Sequence, residues 1–132
     1  MATIRNAALT VTTDRPQDQA TVIVSCDVQF TEVEVNAMNL LSLRYTLHCQ
    51  ILNKEMLDED SVLSYHHQSF PRVAGDGRRH EHAVFESSVP MVTLHDRMIG
   101  RDKLLARLKL KNEETGAETE ARTEVVEVDL AA

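Results

Sequence analysis

Four of the six histidines fall in two short stretches, His66-His67 and His80-Glu81-His82. Residues two apart on a strand project to one face, so His80 and His82 would present both imidazoles to the same side, ~6.6–7 Å apart along the chain. A third imidazole from a neighbouring strand, that of His66, would complete a zinc triad. The same residues also describe a wet sheet face rich in imidazoles, with Glu81 among them and no obvious fourth ligand. No metal ligand is therefore assigned, and the triad His66, His80 and His82 stands as an alternative.

Two acidic segments invite a second chemistry. Asp58-Glu59-Asp60, together with His95-Asp96 and Asp102, would gather oxygens for calcium if both lay at one end of the fold. No segment has the Asp-x-Asp-x-Asp-Gly pattern, and acidic turns serve solubility more often than binding. Nucleophilic catalysis has no Gly-x-Ser-x-Gly elbow, and the two cysteines, Cys26 and Cys49, occupy positions that point inward. Four glycines, at positions 75, 77, 100 and 116, cannot build a phosphate-cradling loop. The expectation is a protein that is not an enzyme and uses no cofactor.

Charge narrows the partners. In 132 residues, 21 Asp+Glu outweigh 14 Lys+Arg, a formal net charge of −7. Phosphate contact needs a concentrated positive field, so nucleic acid and anionic membrane are not expected, although a local basic patch is compatible with this balance. No apolar segment follows Met1 to Asn6, and no stretch approaches the ~18 apolar residues of a membrane span. These absences lead to the expectation of a cytoplasmic protein whose cysteines stay reduced.

The elements that must position any site are legible in the apolar pattern. Ala20, Val22, Val24, Cys26, Val28 and Phe30 alternate with Thr21, Ser25, Asp27 and Gln29, the signature of a strand with one buried face. Leu41, Leu43, Tyr45, Leu47, Cys49 and Ile51 repeat it. Further strands are expected over residues 3–13, 61–69, 80–89 and 103–112, and, after the turn Asn112 to Gly116, on to Leu130. Residues 31–40 should cross between sheets, and residues 71–79, with Pro71 and Gly75-Asp76-Gly77, should form an exposed connection. Leu94, Met98 and Ile99 should plug one end of the core. The chain reads as a single domain, residues 1–132, with 42% apolar residues for its core.

Seven antiparallel strands at this spacing resemble an all-β immunoglobulin-like or fibronectin type III-like sandwich. The likeness is architectural: there is no Trp, and the cysteines fall on the second and third strands. Val22, Val24, Cys26, Val28, Leu43, Leu47, Cys49, Phe85, Leu104, Leu108 and Leu110 are the expected core. In the last hairpin, Lys109 should face Glu118, Arg107 face Glu120 and Lys103 face Glu124. The apolar phase changes after Thr123, which predicts a β-bulge near Val125–Val126.

By subtraction, the sequence points to a non-catalytic protein-interaction or self-assembly module, its partner another protein or a second copy in a homodimer. Ile23 and Leu105, aliphatic on expected outward faces, would seed such a contact. The alternatives are a metal-binding module using the histidine cluster and a small-ligand carrier in a closed β-barrel.

Overall fold

The structure, a computed structural model, describes residues 1–54, 61–95 and 101–130. Its elements run β1 (Thr3–Asp14), β2 (Gln19–Gln29), α1 (Glu32–Leu40), β3 (Tyr45–Asn53), β4 (Ser61–Ser64), β5 (Gln68–Phe70), β6 (His80–Pro90), α2 (Met91–Leu94), β7 (Asp102–Asn112), β8 (Glu118–Arg122) and β9 (Val126–Val128). Alternation does what it predicts in β2, where Ala20, Val22, Val24, Cys26 and Val28 are all buried. β2 is the centre of a three-stranded antiparallel sheet ordered β1-β2-β6. The second sheet is ordered β4-β3-β7-β8, with β5 also paired to β3 and β9 to β7.

The two sheets pack as open layers, so the closed barrel of the carrier alternative is not the architecture. Every residue expected in the core is buried, from Val22 at 0% exposure to Leu43 at 8%. Phe30 joins the layers, its ring 4.9 Å from Tyr45 and 5.9 Å from Phe70. Each buried Leu or Val contributes about 1.5–3 kcal/mol relative to an exposed one, so this interlayer cluster is the main source of stability. Leu94 of α2 belongs to the cluster as expected, whereas Met98 and Ile99 lie outside the described residues.

The crossover between sheets is α1. Thr31 caps it: the Glu34 N–H donates to Thr31 Oγ1 (3.2 Å), and the Thr31 N–H donates to Glu34 Oε1 (2.8 Å), a reciprocal capping box. Glu34 Oε2 accepts from the Tyr45 hydroxyl at 2.7 Å, tying the helix start to β3. At its other end Ser42 takes a left-handed conformation (φ 59), and the Leu43 N–H turns back to the Ala37 carbonyl. β3 therefore begins at Tyr45, and the expectation of a strand from Leu41 is corrected: Leu41 and Ser42 complete the helix turn.

Three other expectations need correction. Expected strand 61–69 is two short strands, because the ladder with β3 breaks after Tyr65, whose N–H still reaches the Cys49 carbonyl at 3.0 Å, and resumes at Gln68. The last hairpin is offset by two residues, with Lys111 opposite Glu118, Lys109 opposite Glu120 and Arg107 opposite Arg122. Leu105 does not face solvent; it is 4% exposed opposite Leu52, a pair buried outside the main core cluster. Ile23 is half-buried between Thr10 and Glu86.

The anticipated bulge is present. Arg107 pairs with Arg122 and Leu104 with Val126, so three steps on β7 span four between β8 and β9. Thr123 bridges the break, its hydroxyl accepting from the Ala106 N–H at 2.9 Å. The extra residue brings Val126 and Val128 to the core side, as the phase change required.

Candidate functional site

The structure separates the histidines by sheet. His66 and His67 lie in the break between β4 and β5, which belong to the second sheet, while His80 and His82 lie on β6 in the first. His66 stacks on His67 at 4.7 Å, and His67 approaches His48 of β3 at 5.5 Å. His82 Nδ1 lies 2.8 Å from Asp27 Oδ1, whose other oxygen accepts from Asn6 Nδ2 at 2.8 Å. Those hydrogen bonds, Asn6 first and His82 second, hold the Asp27 carboxyl below its usual range. The triad His66, His80 and His82 is not assembled, and among the described residues no group of three His, Cys, Asp or Glu could hold a metal ion. His48 entered no sequence-based grouping, since only the register of β3 shows it beside His67.

Of the proposed calcium set, Asp58, Glu59, Asp60 and Asp96 lie outside the described residues. His95 and Asp102 do meet. Asp102 is fully buried, its Oδ2 2.7 Å from His95 Nδ1 and its Oδ1 accepting from Asn53 Nδ2 at 3.0 Å. Asn53 also donates to the Leu94 carbonyl, so the network ties α2 to β3 and β7. An Asp–His pair can orient an imidazole as a base; among the described residues no hydroxyl or thiol hydrogen-bonds to His95. Cys26 and Cys49 are unbridged and buried, and burial pushes their thiols up to about 11 and about 12, far from a reactive thiolate.

A different region stands out at the end of the sandwich built by α1 and the 71–79 connection. Val33, Leu40 and Leu41 are 77%, 80% and 75% exposed, and with Ala37 they follow the i, i+4, i+7, i+8 spacing of one helix face. The opposite face buries Met38, and the capping box and the Leu43 turn fix the helix at both ends. The connection packs against it: the Gly77 N–H donates to Asn39 Oδ1 at 2.6 Å. A Cβ at Gly77 would stand 3.0 Å from that oxygen and 3.1 Å from Met38 Cβ, so only glycine fits this approach without displacement.

Between the end of α1 and the 71–75 turn lies a half-open cavity of about 220 Å³, with Met38, Leu43 and Pro71 on its apolar side and Ser42, Arg44 and Arg72 on its polar side. Arg72 is held in place, donating from Nη1 to Gln68 Oε1 (3.0 Å) and from Nη2 to the His82 carbonyl (2.7 Å), with its guanidinium 4.9 Å from the Phe70 ring centre. Arg44 is exposed and makes no side-chain hydrogen bond or ion pair among the described residues. Arg78, 3.1 Å from Asp76, and Arg79 lie on the same connection. In a chain of net charge −7, Arg44 and Arg72 line the cavity on one side of α1, and Val33, Leu40 and Leu41 lie on its other side. The helical spacing of Val33, Ala37, Leu40 and Leu41 was the available sequence signal, but β-compatible Val33 and Val35 obscured it.

No protein-family model matches the chain, and no curated protein matches it.

Proposed function

We propose that this domain works by contact, docking a protein segment that carries aliphatic and acidic side chains onto the end formed by α1 and the 71–79 connection. The carrying observation is the stripe of Val33, Leu40 and Leu41, three large aliphatics at least 75% exposed on a helix fixed at both ends. A rigid apolar face lowers the ordering cost of binding, and helix stripes of this kind are read by apolar anchors laid across them. Arg44 and Arg72, which line the cavity on the other side of α1, favour carboxylates in a partner long enough to reach past the helix.

The arginines argue against a homodimer through this face. A two-fold contact sets the same patch against itself, so it would bring arginine toward arginine. Three aliphatic side chains on a nine-residue helix also fall short of the ~1,200 Å² that a specific stable interface buries. A different, acidic partner meets both constraints by extending over the neighbouring connection.

Counting β4 with β5 and β8 with β9, the strands fill seven positions, three in one layer and four in the other, which supports the fibronectin type III-like likeness. A reducing, cytoplasmic setting remains part of this proposal, one that the unbridged Cys26 and Cys49 fit.

The test is a titration by calorimetry with a soluble peptide of alternating leucine and glutamate. Leu40→Ser with Leu41→Ser should weaken binding tenfold or more while leaving the melting temperature unchanged. Equal affinity of the wild type and the double variant would refute the reading.

A further inference from the structure

The cavity beside Ser42 joins the apolar wall of Met38, Leu43 and Pro71 to the positive charge of Arg44 and Arg72. We propose that it captures the C-terminal residue of a partner chain, taking the free carboxylate between Arg44 and Arg72 and the aliphatic side chain against Met38, Leu43 and Pro71. The proposal rests on the contact reading above and names the anchor by which the partner segment is held.

Size comes first. About 220 Å³ is below the ~300–1,000 Å³ of sites that enclose a whole small-molecule ligand. That volume suits one branched residue at a chain end. A glutamate or aspartate side chain would satisfy the arginines but leave the Met38, Leu43 and Pro71 surface facing water. A terminal aliphatic residue satisfies both sides at once.

The charge is placed for this. A guanidinium offers five N–H donors, and Arg72 commits one from Nη1 to Gln68 and one from Nη2 to the His82 carbonyl, so donors remain after it has been fixed in position. Its stacking over Phe70 removes the conformational freedom that would otherwise oppose binding. Arg44 supplies the second positive charge, on a backbone pinned by the Glu113 N–H to its carbonyl at 3.0 Å. The carbonyl end of α1 adds only about half a negative charge, which two guanidinium groups outweigh. Ser42, held at φ 59, sets a hydroxyl at the rim of the same cavity.

The experiment uses the full chain and three probes: an acetylated tetrapeptide ending in leucine with a free carboxylate, the same peptide as its C-terminal amide, and free isovalerate. Affinities are read by NMR titration, with Ser42, Leu43, Arg44 and Ala74 as reporters. The free-acid peptide should shift these four residues and bind at least tenfold tighter than the amide, with isovalerate shifting the same residues more weakly. Arg44→Gln should erase the preference for the free acid, and Arg44→Lys should restore only part of it. A melting curve confirms that each variant is folded.

Equal affinity of acid and amide, or an unaltered preference in Arg44→Gln, overturns the proposal. Isovalerate binding as tightly as the peptide also overturns it, making the cavity a small-acid site. The contact reading fails separately. If the free-acid peptide fills the cavity while Leu40→Ser with Leu41→Ser leaves the leucine-glutamate peptide bound as before, the cavity stands and the helix face does not; the converse pattern keeps the face and discards the cavity.

Discussion

Arg107 of β7 stands directly opposite Arg122 of β8, and Glu120 lies between them, 3.8 Å from the first guanidinium and 3.9 Å from the second. Pairing by opposite charge would have put Arg107 across from Glu120. The turn decided otherwise: Asn112 Oδ1 accepts from the N–H groups of Glu114 and Thr115, and Gly116 (φ 78) returns its N–H to the Asn112 carbonyl. Cross-strand charge pairs contribute only ~0.2–1 kcal/mol each, less than a turn with several hydrogen bonds contributes, so the turn fixes register.

This geometry makes Glu120 a shared counter-ion. Glu120→Gln should cost about 0.5–1 kcal/mol in low salt, measured by urea unfolding, and the loss should vanish near 1 M salt as screening removes the repulsion between Arg107 and Arg122. Adding Arg122→Gln should restore the low-salt stability. A salt-independent loss would contradict the shared-ion account.

Asp102 should behave differently because it is fully buried between Asn53 and His95. Asp102→Ala removes an acceptor from both partners and should cost roughly 2–3 kcal/mol in the same measurement, with little dependence on salt. A loss below about 0.5 kcal/mol would show that the network does not anchor α2.

The core and the helix stripe should separate cleanly under truncation. Leu108→Ala, at 0% exposure between the sheets, should lose about 2–5 kcal/mol, whereas Leu40→Ala, at 80% exposure, should stay within ~0.5 kcal/mol of the wild type. A large loss at Leu40 would mean that this side chain stabilises the fold and is not held in reserve for a partner.

Acid should loosen the helix entry. Burial would raise the Glu34 carboxyl, but the Thr31 N–H, the Tyr45 hydroxyl and the Thr31 side chain outweigh it and hold the group below its ordinary range. A carboxyl lowered by folding stabilises the protein above its unfolded pKa, and that contribution is lost as pH falls through the lower folded value. The stabilisation should therefore be present above about pH 4.3 and decline below it. Glu34→Gln should flatten that decline in melting temperatures taken from pH 2 to 6; an unchanged slope would contradict the assignment.

How much of this was legible in the chain depends on which force decides each feature. Burial decides β2 and the inward side of β7, and strict alternation writes burial into sequence, so Val22 to Val28 and Leu104 to Leu110 were readable. The bulge before Val126 was readable for the same reason, since a phase change has few other remedies. Leu105 was not, because alternation cannot report a second buried patch on the outer face of a sheet. His66 was misplaced with His80 and His82 because chain adjacency of strands does not say which sheet each joins. The candidate site was the least legible part: Val33, Leu40 and Leu41 have a helical period, but the cavity that joins Arg44 to Arg72 exists only after α1 packs beside the 71–79 connection through Asn39 and Gly77.

The central claim is that the α1 end is the docking surface, and backbone amide shift mapping on the wild-type chain tests it most directly. Titration with a leucine-glutamate peptide should move resonances confined to residues 33–44 and 71–79, and the same peptide with serine in place of leucine should leave them still. Shifts centred instead on the outer faces carrying His48 or His82, or no shifts at millimolar peptide, would contradict the account.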